Sequence, residues 1–440
     1  MVILSEENKT TSGPRHQRRD TDTTTQIPSI FCKANESARV GAKGRNAGPG
    51  AEEKFMAMRR DAAAWCIAAC CAVTLAGGVA AEQQFEQLTV AKLPPANPHR
   101  VYISDIAISH IVDGKLHVVD GDTLRYLGLV ATGYAGQATL SPDRSELYVA
   151  TTYYTRLSRG ERADVVDIYD TATLQHKGEI AIPPKHAQAL HYKGTIRTSS
   201  DGRWLLVQNA TPATSVTVVD LKAHKVASEV PTPGCWIVIP SHGAPQRFST
   251  ICGDGTLMTV TLSDDGKSHT LKHSKPFFSP DTDPIFVQEE NLGDRHMFVS
   301  FRGRIHTANL SGDVASIEAP WSLLSKADEK QGWRPGGYQP LAVHRKTGRL
   351  FVAMHPNGKE GSHKDAAREI WIYDLASQKR IARVPGNNAI AITASQDDAP
   401  LLFALDGLNM GLVVYDAGKK VAVKHRLDPL AETAFLMETH

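Results

Sequence analysis

A chain of 440 residues with 41% hydrophobic side chains is long enough for two or three domains. Its 49 Lys and Arg stand against 47 Asp and Glu, a formal charge of +2. So even a balance supplies no basic stripe to neutralise phosphates, and nucleic acid is not expected as a partner.

Residues 1–57 are rich in Thr, Asn, Gly, Arg and Lys and lack apolar periodicity, the pattern of a disordered leader or an over-extended gene start. At 58–81 a basic Met58-Arg59-Arg60, an apolar run from Ala62 to Val79 and the small residues Ala80 and Ala81 follow one another. That is the order of a cleaved signal peptide, with Met56 or Met58 as the true start. A transmembrane anchor is the competing reading of the run, but its Ala, Gly and Cys content makes it weakly hydrophobic. Export to the periplasm, with no membrane association after cleavage, is therefore the expectation. Residues 1–81 hold 11 of the Lys and Arg and 8 of the Asp and Glu, leaving 38 against 39 in the mature region.

Residues 82–440 show no sustained helical period. Short Val, Ile, Leu, Tyr, Trp and Phe runs alternate with Gly, Asp, Pro and Ser, an all-β pattern. One phrase recurs: an alternating apolar strand that ends in Asp. It reads LHVVD at 116–120, VDIYD at 166–170, VTVVD at 216–220, IWIYD at 370–374 and LVVYD at 412–416, with weaker copies ending at Thr261 and Asn309. The end points lie 41 to 65 residues apart, the period of a four-stranded propeller blade. A second phrase precedes each copy: VYI at 101–103, LYV at 147–149, WLLV at 204–207, RFSTI at 247–251, MFV at 297–299, LFV at 350–352 and LLF at 401–403. Counting the pairs predicts a seven-bladed β-propeller over 82–440; two β-sandwiches are the alternative. The ring needs a closing strand, from residues 88–93 or from 434–437.

Two segments break the rhythm. Residues 155–163 lengthen one hairpin with charged side chains, and 320–339 lengthen a link in which Ser325 is placed to cap a short helix. Such insertions sit on the faces of a ring, where partners bind. Of six cysteines only Cys235 and Cys252 fall in the mature region. In an exported chain a lone pair reads as a disulfide; two buried thiols are the alternative. His355 and His363 flank a loop that could present both to a metal, but no carboxylate or thiol stands at a supporting spacing. His110, His186 and His191 read as structural groups near strand ends, and Trp236, Trp321 and Trp333 as plugs between blades. No nucleophile elbow, dinucleotide fingerprint, P-loop or HExxH motif occurs. The chain reads as a scaffold with no catalytic residue and no metal of its own.

Several irregular phrases together resemble the heavy subunit of the quinoprotein amine dehydrogenases, the aromatic amine branch more than the methylamine branch. They are TTYY at 151–154, RGERADVV at 159–166, QNATPATS at 208–215, PGCW at 233–236, STICGDG at 249–255, GWRPGGY at 332–338 and HPNGKEGSHK at 355–364. The resemblance implies a heterotetramer of two heavy and two light subunits, with tryptophan tryptophylquinone and the proton-abstracting base in the light subunit. It implies oxidation of a primary amine to an aldehyde and ammonia. Electrons would pass to a periplasmic blue-copper protein of the azurin or amicyanin type. Cys235 and Cys252 match the family's heavy-chain disulfide. Ile108 falls where the family places an aromatic that narrows the substrate channel, so an aliphatic side chain is expected to line the entrance here. Two other functions remain open: a periplasmic propeller that only binds or scaffolds, and a propeller hydrolase such as a lactonase.

Overall fold

The structure is a computed structural model that describes residues 89–188 and 192–440. The leader at 1–57, the signal at 58–81 and His191 lie outside those residues. The described residues form an all-β propeller of antiparallel sheets. The first sheet runs in the order Ala434–Thr439, Arg100–Asp105, Gly114–Asp120 and Tyr126–Gly133. The second comprises Gln137–Leu140, Glu146–Arg156, Arg159–Asp170 and His176–Ile182, and the third Ile196–Thr198, Trp204–Asn209, Ser215–Asp220 and Lys225–Pro231. The fourth comprises Cys235–Pro240, Arg247–Cys252, Leu257–Leu262 and His269–His273. The fifth runs Ile285–Leu292, Arg295–Ser300, Arg304–Asn309 and Ser316–Ile317, with Trp321–Ser322 beside it.

The remaining strands correct the count of seven separate blades. Five blades are discrete, and the rest of the chain makes one continuous eight-stranded sheet. Its cause is the 16-residue strand Lys379–Ala394, whose first part pairs with Ala367–Asp374 and whose last part pairs with Leu401–Asp406. No loop intervenes. The strand bends at Asn387 and Asn388, which take φ of 49° and 56°, a conformation that Asn tolerates better than most residues. Gly386 permits the bend, because a Cβ there would stand 2.5 Å from the Ala367 carbonyl oxygen. The two halves then pack face to face: Phe351, Ile370 and Ile372 share one cluster with Leu402, Val413 and Tyr415.

Elsewhere, too, each sheet covers its neighbour's apolar face. Tyr102 and Val118 pack on Leu147 and Val149, Ile168 and Ile180 on Leu205 and Val219, and Leu206 and Val218 on Val238 and Phe248. The last half-sheet returns to the first, with Phe403 and Val414 against Val101 and Ile103. Closure is by the C-terminal strand Ala434–Thr439, which pairs with Arg100–Asp105; residues 89–99 form no strand.

The recurring Asp has a local cause. It ends a third strand and accepts hydrogen bonds from the turn that follows: Asp120 from the Thr123 amide at 2.9 Å and Asp170 from the Thr173 amide at 2.8 Å. Asp374 takes the Ser377 amide at 2.8 Å and Asp416 the Gly418 amide at 2.7 Å. These side chains replace backbone acceptors and fix tight turns. In a four-stranded meander the first and third turns share one end of the sheet. The second turn and the connection to the next sheet share the other. The propeller therefore has a tight-turn face and a loop-rich face, and every irregular phrase noted above lies at or leads into the second.

Candidate functional site on the loop-rich face

The second turn of the first sheet is a 3-10 segment, Ile108–Asp113, entered through Ala107 at φ 44°. Asp105 holds it. Its buried carboxylate accepts the amides of Ala107 at 2.9 Å, Glu432 at 2.7 Å and Thr433 at 2.8 Å, and meets His117 Nε2 at 3.3 Å. Burial pushes this carboxyl up, but the hydrogen bonds from His117 and the three amides win and hold it well below the usual range. One side chain thus fastens both the loop that carries Ile108 and the connection into the closing strand.

From there a rim of contacts runs across adjacent sheets. His110 lies 2.7 Å from Glu432, and the Leu430 and Ala431 amides donate to the Met410 carbonyl at 2.9 and 3.1 Å. On the other side the Ala135 amide donates to Ile111 O at 3.0 Å, and the Tyr134 and Tyr154 rings meet edge to face at 5.8 Å. The hairpin of Glu146–Arg156 and Arg159–Asp170 then projects to its tip at Leu157. The three most exposed large apolar side chains among the described residues all stand on this face: Leu408 at 76%, Leu157 at 74% and Ile108 at 59%.

Beneath the hairpin is a buried polar cluster. Asp164 binds Arg162 through both oxygens at 2.7 Å, His186 Nδ1 at 2.7 Å and the Thr152 hydroxyl at 2.8 Å. Burial pushes Asp164 up, and His186 and Arg162 overcome it, leaving its pKa at about 2. With both Asp164 oxygens engaged by these donors, the cluster braces the hairpin root. Across the ring, Cys235 and Cys252 are joined between neighbouring strands. The bond ties the incoming connection to the turn after Cys252, where the Gly253 amide donates to Gly234 O at 2.9 Å. No contact joins this bridge to Ile108.

The residues around His355 are divided. His355 is buried with Nδ1 3.2 Å from Pro356 O, while His363 lines a cavity of about 540 Å³ with Asp281, Phe286, Arg302, Arg334 and Lys359. Burial lowers the His363 pKa to about 4, so its ring is neutral at pH 7. Among the described residues no group of three or more His, Cys, Asp or Glu is placed to hold a metal. Trp236 and Trp333 are buried between sheets, and Ser325 caps the helix Lys326–Lys330 in a reciprocal pair with Asp328. Sequence reasoning missed Asp105, Tyr134, Leu157, Leu408 and the basic side chains of the cavity. An apolar residue at the tip of a charged hairpin, as at Leu157, was the readable signal.

Comparison with known proteins accords with this arrangement. The family model of the methylamine dehydrogenase heavy chain matches residues 97–436. A methylamine dehydrogenase heavy chain of Methylobacillus flagellatus is 27% identical over 344 residues, covering 78% of this chain and 85% of that one. Its counterpart in Paracoccus versutus is 29% identical over 362 residues, covering 81% and 82%. Among solved structures, one from Bacteroides uniformis, named as a candidate 6-phosphogluconolactonase, superposes with a TM-score of 0.55 at 9% identity, covering 79% of this chain and 99% of that one. At that identity the likeness shows the propeller fold alone. The match over nearly all of the propeller establishes that the chain belongs to the methylamine dehydrogenase heavy chain family.

Proposed function

We propose that this chain is the large subunit of a periplasmic tryptophan tryptophylquinone-dependent amine dehydrogenase, exported through its signal peptide. Two copies assemble with two light subunits, and electrons leave to a blue-copper protein of the azurin or amicyanin type. The observation that carries the assignment is the loop-rich face: family membership predicts a light-chain partner, and Ile108, Leu157 and Leu408 offer it apolar surface from adjacent sheets. Single exposed apolar residues are ordinary; three on one contiguous rim are not.

The quinone, bound in the complex, supplies the carbonyl chemistry that converts a primary amine and water to aldehyde and ammonia with loss of two electrons. This chain does not fit the group itself. Its close indole pair, Trp333 and Trp371 with centroids 5.0 Å apart, is buried, and the guanidinium of Arg383 lies 4.9 Å from each ring. Both indole nitrogens are engaged, with Gln331 and Glu369, so a substrate has no approach. The family resemblance supports placing the cofactor and the catalytic base in the light subunit, with this chain binding that subunit and shaping the substrate entrance.

Ile108 lines that entrance, on the strength of its position and its exposure on the rim. The irregular phrases support aromatic amines as preferred substrates, while the relatives above are methylamine dehydrogenase heavy chains. The ratio of kcat/KM for tyramine and methylamine decides between them, and unchanged amine selectivity in Ile108→Ala would remove the gate. The larger claim is tested by purification from the native host grown on methylamine, tyramine or phenylethylamine. A co-purifying small chain with quinone absorbance supports it; a lone colourless propeller rejects it and leaves a binding or scaffold protein.

A further inference from the structure

We propose that the tight-turn mouth of the central channel binds a small oxyanion, of which inorganic phosphate is the simplest member. The mouth is a cavity of about 390 Å³, within the range of small-molecule sites. It lies at the opposite end of the sheets from the rim described above, among the first turns of successive sheets. Arg144, Arg197 and Arg345 line it together with His296, Glu289 and Glu438.

Both carboxylates are already engaged. Glu438 receives Arg144 at 2.7 Å, and Glu289 receives His296 Nδ1 at 2.9 Å and Arg197 at 3.4 Å. Arg345 spends Nε on Asn291, at 3.2 Å to its backbone oxygen and 3.3 Å to its side-chain oxygen. Each guanidinium carries five N–H groups in a planar fork, so most of these donors remain for a ligand.

Two atoms sharpen the point. Arg197 Nε and His296 Nε2 are buried with no hydrogen-bond partner, and the His296 side chain is itself almost wholly buried. Native proteins rarely leave such atoms unpaired, because desolvation is then uncompensated. Burial pushes Glu289 up, but His296, Arg197 and Lys193 outweigh it and keep it ionised. Three guanidiniums against two carboxylates leave one positive charge. An oxyanion balances it, and a tetrahedral or branched one can take N–H donors from several turns at once.

The test is calorimetric titration of inorganic phosphate into the protein as purified from its host, with sodium chloride at matched ionic strength as control. Saturable binding of one phosphate per chain is expected. Arg345→Gln, at an exposed position, should weaken binding about tenfold or more, as loss of a charge-assisted fork does. Arg302→Gln, in the cavity on the other face, should leave it unchanged. Non-saturating heats, equal heats from chloride, full binding by Arg345→Gln or an equal loss in Arg302→Gln would each overturn the proposal.

Discussion

Replacing Asp105 by Asn tests how the rim is held. In the native chain one carboxylate oxygen takes the Ala107 and Thr433 amides, and the other takes the Glu432 amide and faces His117. Asn keeps one oxygen and turns the other into an NH2 group, so at least one backbone donor faces a donor. Losing a charge-assisted bond costs about 1.5–3 kcal/mol, and a buried unpaired donor adds to that, giving a loss of about 2–4 kcal/mol. With an unfolding entropy of about 2 cal/mol/K per residue, the melting point should fall by roughly 3–6 °C.

Urea denaturation followed by Trp fluorescence reads the change directly. Asp113→Asn is the control, because Asp113 sits on the same loop in an exposed ion pair with Lys115 at 2.8 Å, and such pairs contribute under about 1 kcal/mol. The folded pKa of Asp105 is lowered, so its contribution is complete above the unfolded value of about 4 and is lost as pH falls through the folded one. The gap between wild type and Asp105→Asn should narrow in acid. A variant within about 1 kcal/mol of wild type at pH 7 would refute the bracket.

Three further outcomes are expected. Removing the disulfide by Cys235→Ala with Cys252→Ala opens a loop of sequence separation 17 and should cost about 3 kcal/mol through the unfolded state; under 1 kcal/mol would contradict it. Trp371 is fully buried, with Arg380 at 4.1 Å and Arg383 at 4.9 Å from its ring, so Trp371→Ala should cost about 3–5 kcal/mol in chemical denaturation, well beyond Arg383→Gln at about 1 kcal/mol. Leu157→Asp and Leu408→Asp should leave stability within about 0.5 kcal/mol and weaken capture of the light subunit in a pull-down. Full capture by the double variant would move the docking face elsewhere.

What could be read in the sequence was what short segments decide. The apolar strand ending in Asp is legible because Asp caps the turn it enters, within three residues of itself. Ser325 and Asp328 likewise announce their helix from within one turn. Sheet continuity is a different matter. Gly386-Asn387-Asn388 carries the composition of a loop, yet the backbone crosses it from one partner strand to the other within a single strand, and so counting phrases gave separate blades where one sheet persists. The rim was equally hidden: Asp105 meets Glu432 and Thr433 across more than three hundred residues, and no local pattern registers that. Ile108 could be placed only through resemblance, since an Ile in a short loop carries no signal of its own.

The two faces differ in what their turns demand. On the tight-turn face the recurring Asp side chains are consumed by their own backbone, so substitution there would lose a turn before it altered a surface. On the loop-rich face the bracing groups, Asp105 and Asp164, are buried beneath the rim, and the tips they support, Ile108 and Leu157, make few demands on the fold. A propeller built this way can change its partner-facing side chains while keeping its closure. Asp105 is where the separation fails: it serves the closing strand and the Ile108 loop at once. A variant there should lose stability and light-chain affinity together, whereas Leu157→Asp should lose affinity alone. Affinity unchanged in a destabilised Asp105→Asn would show that the Ile108 loop is not part of the docking face.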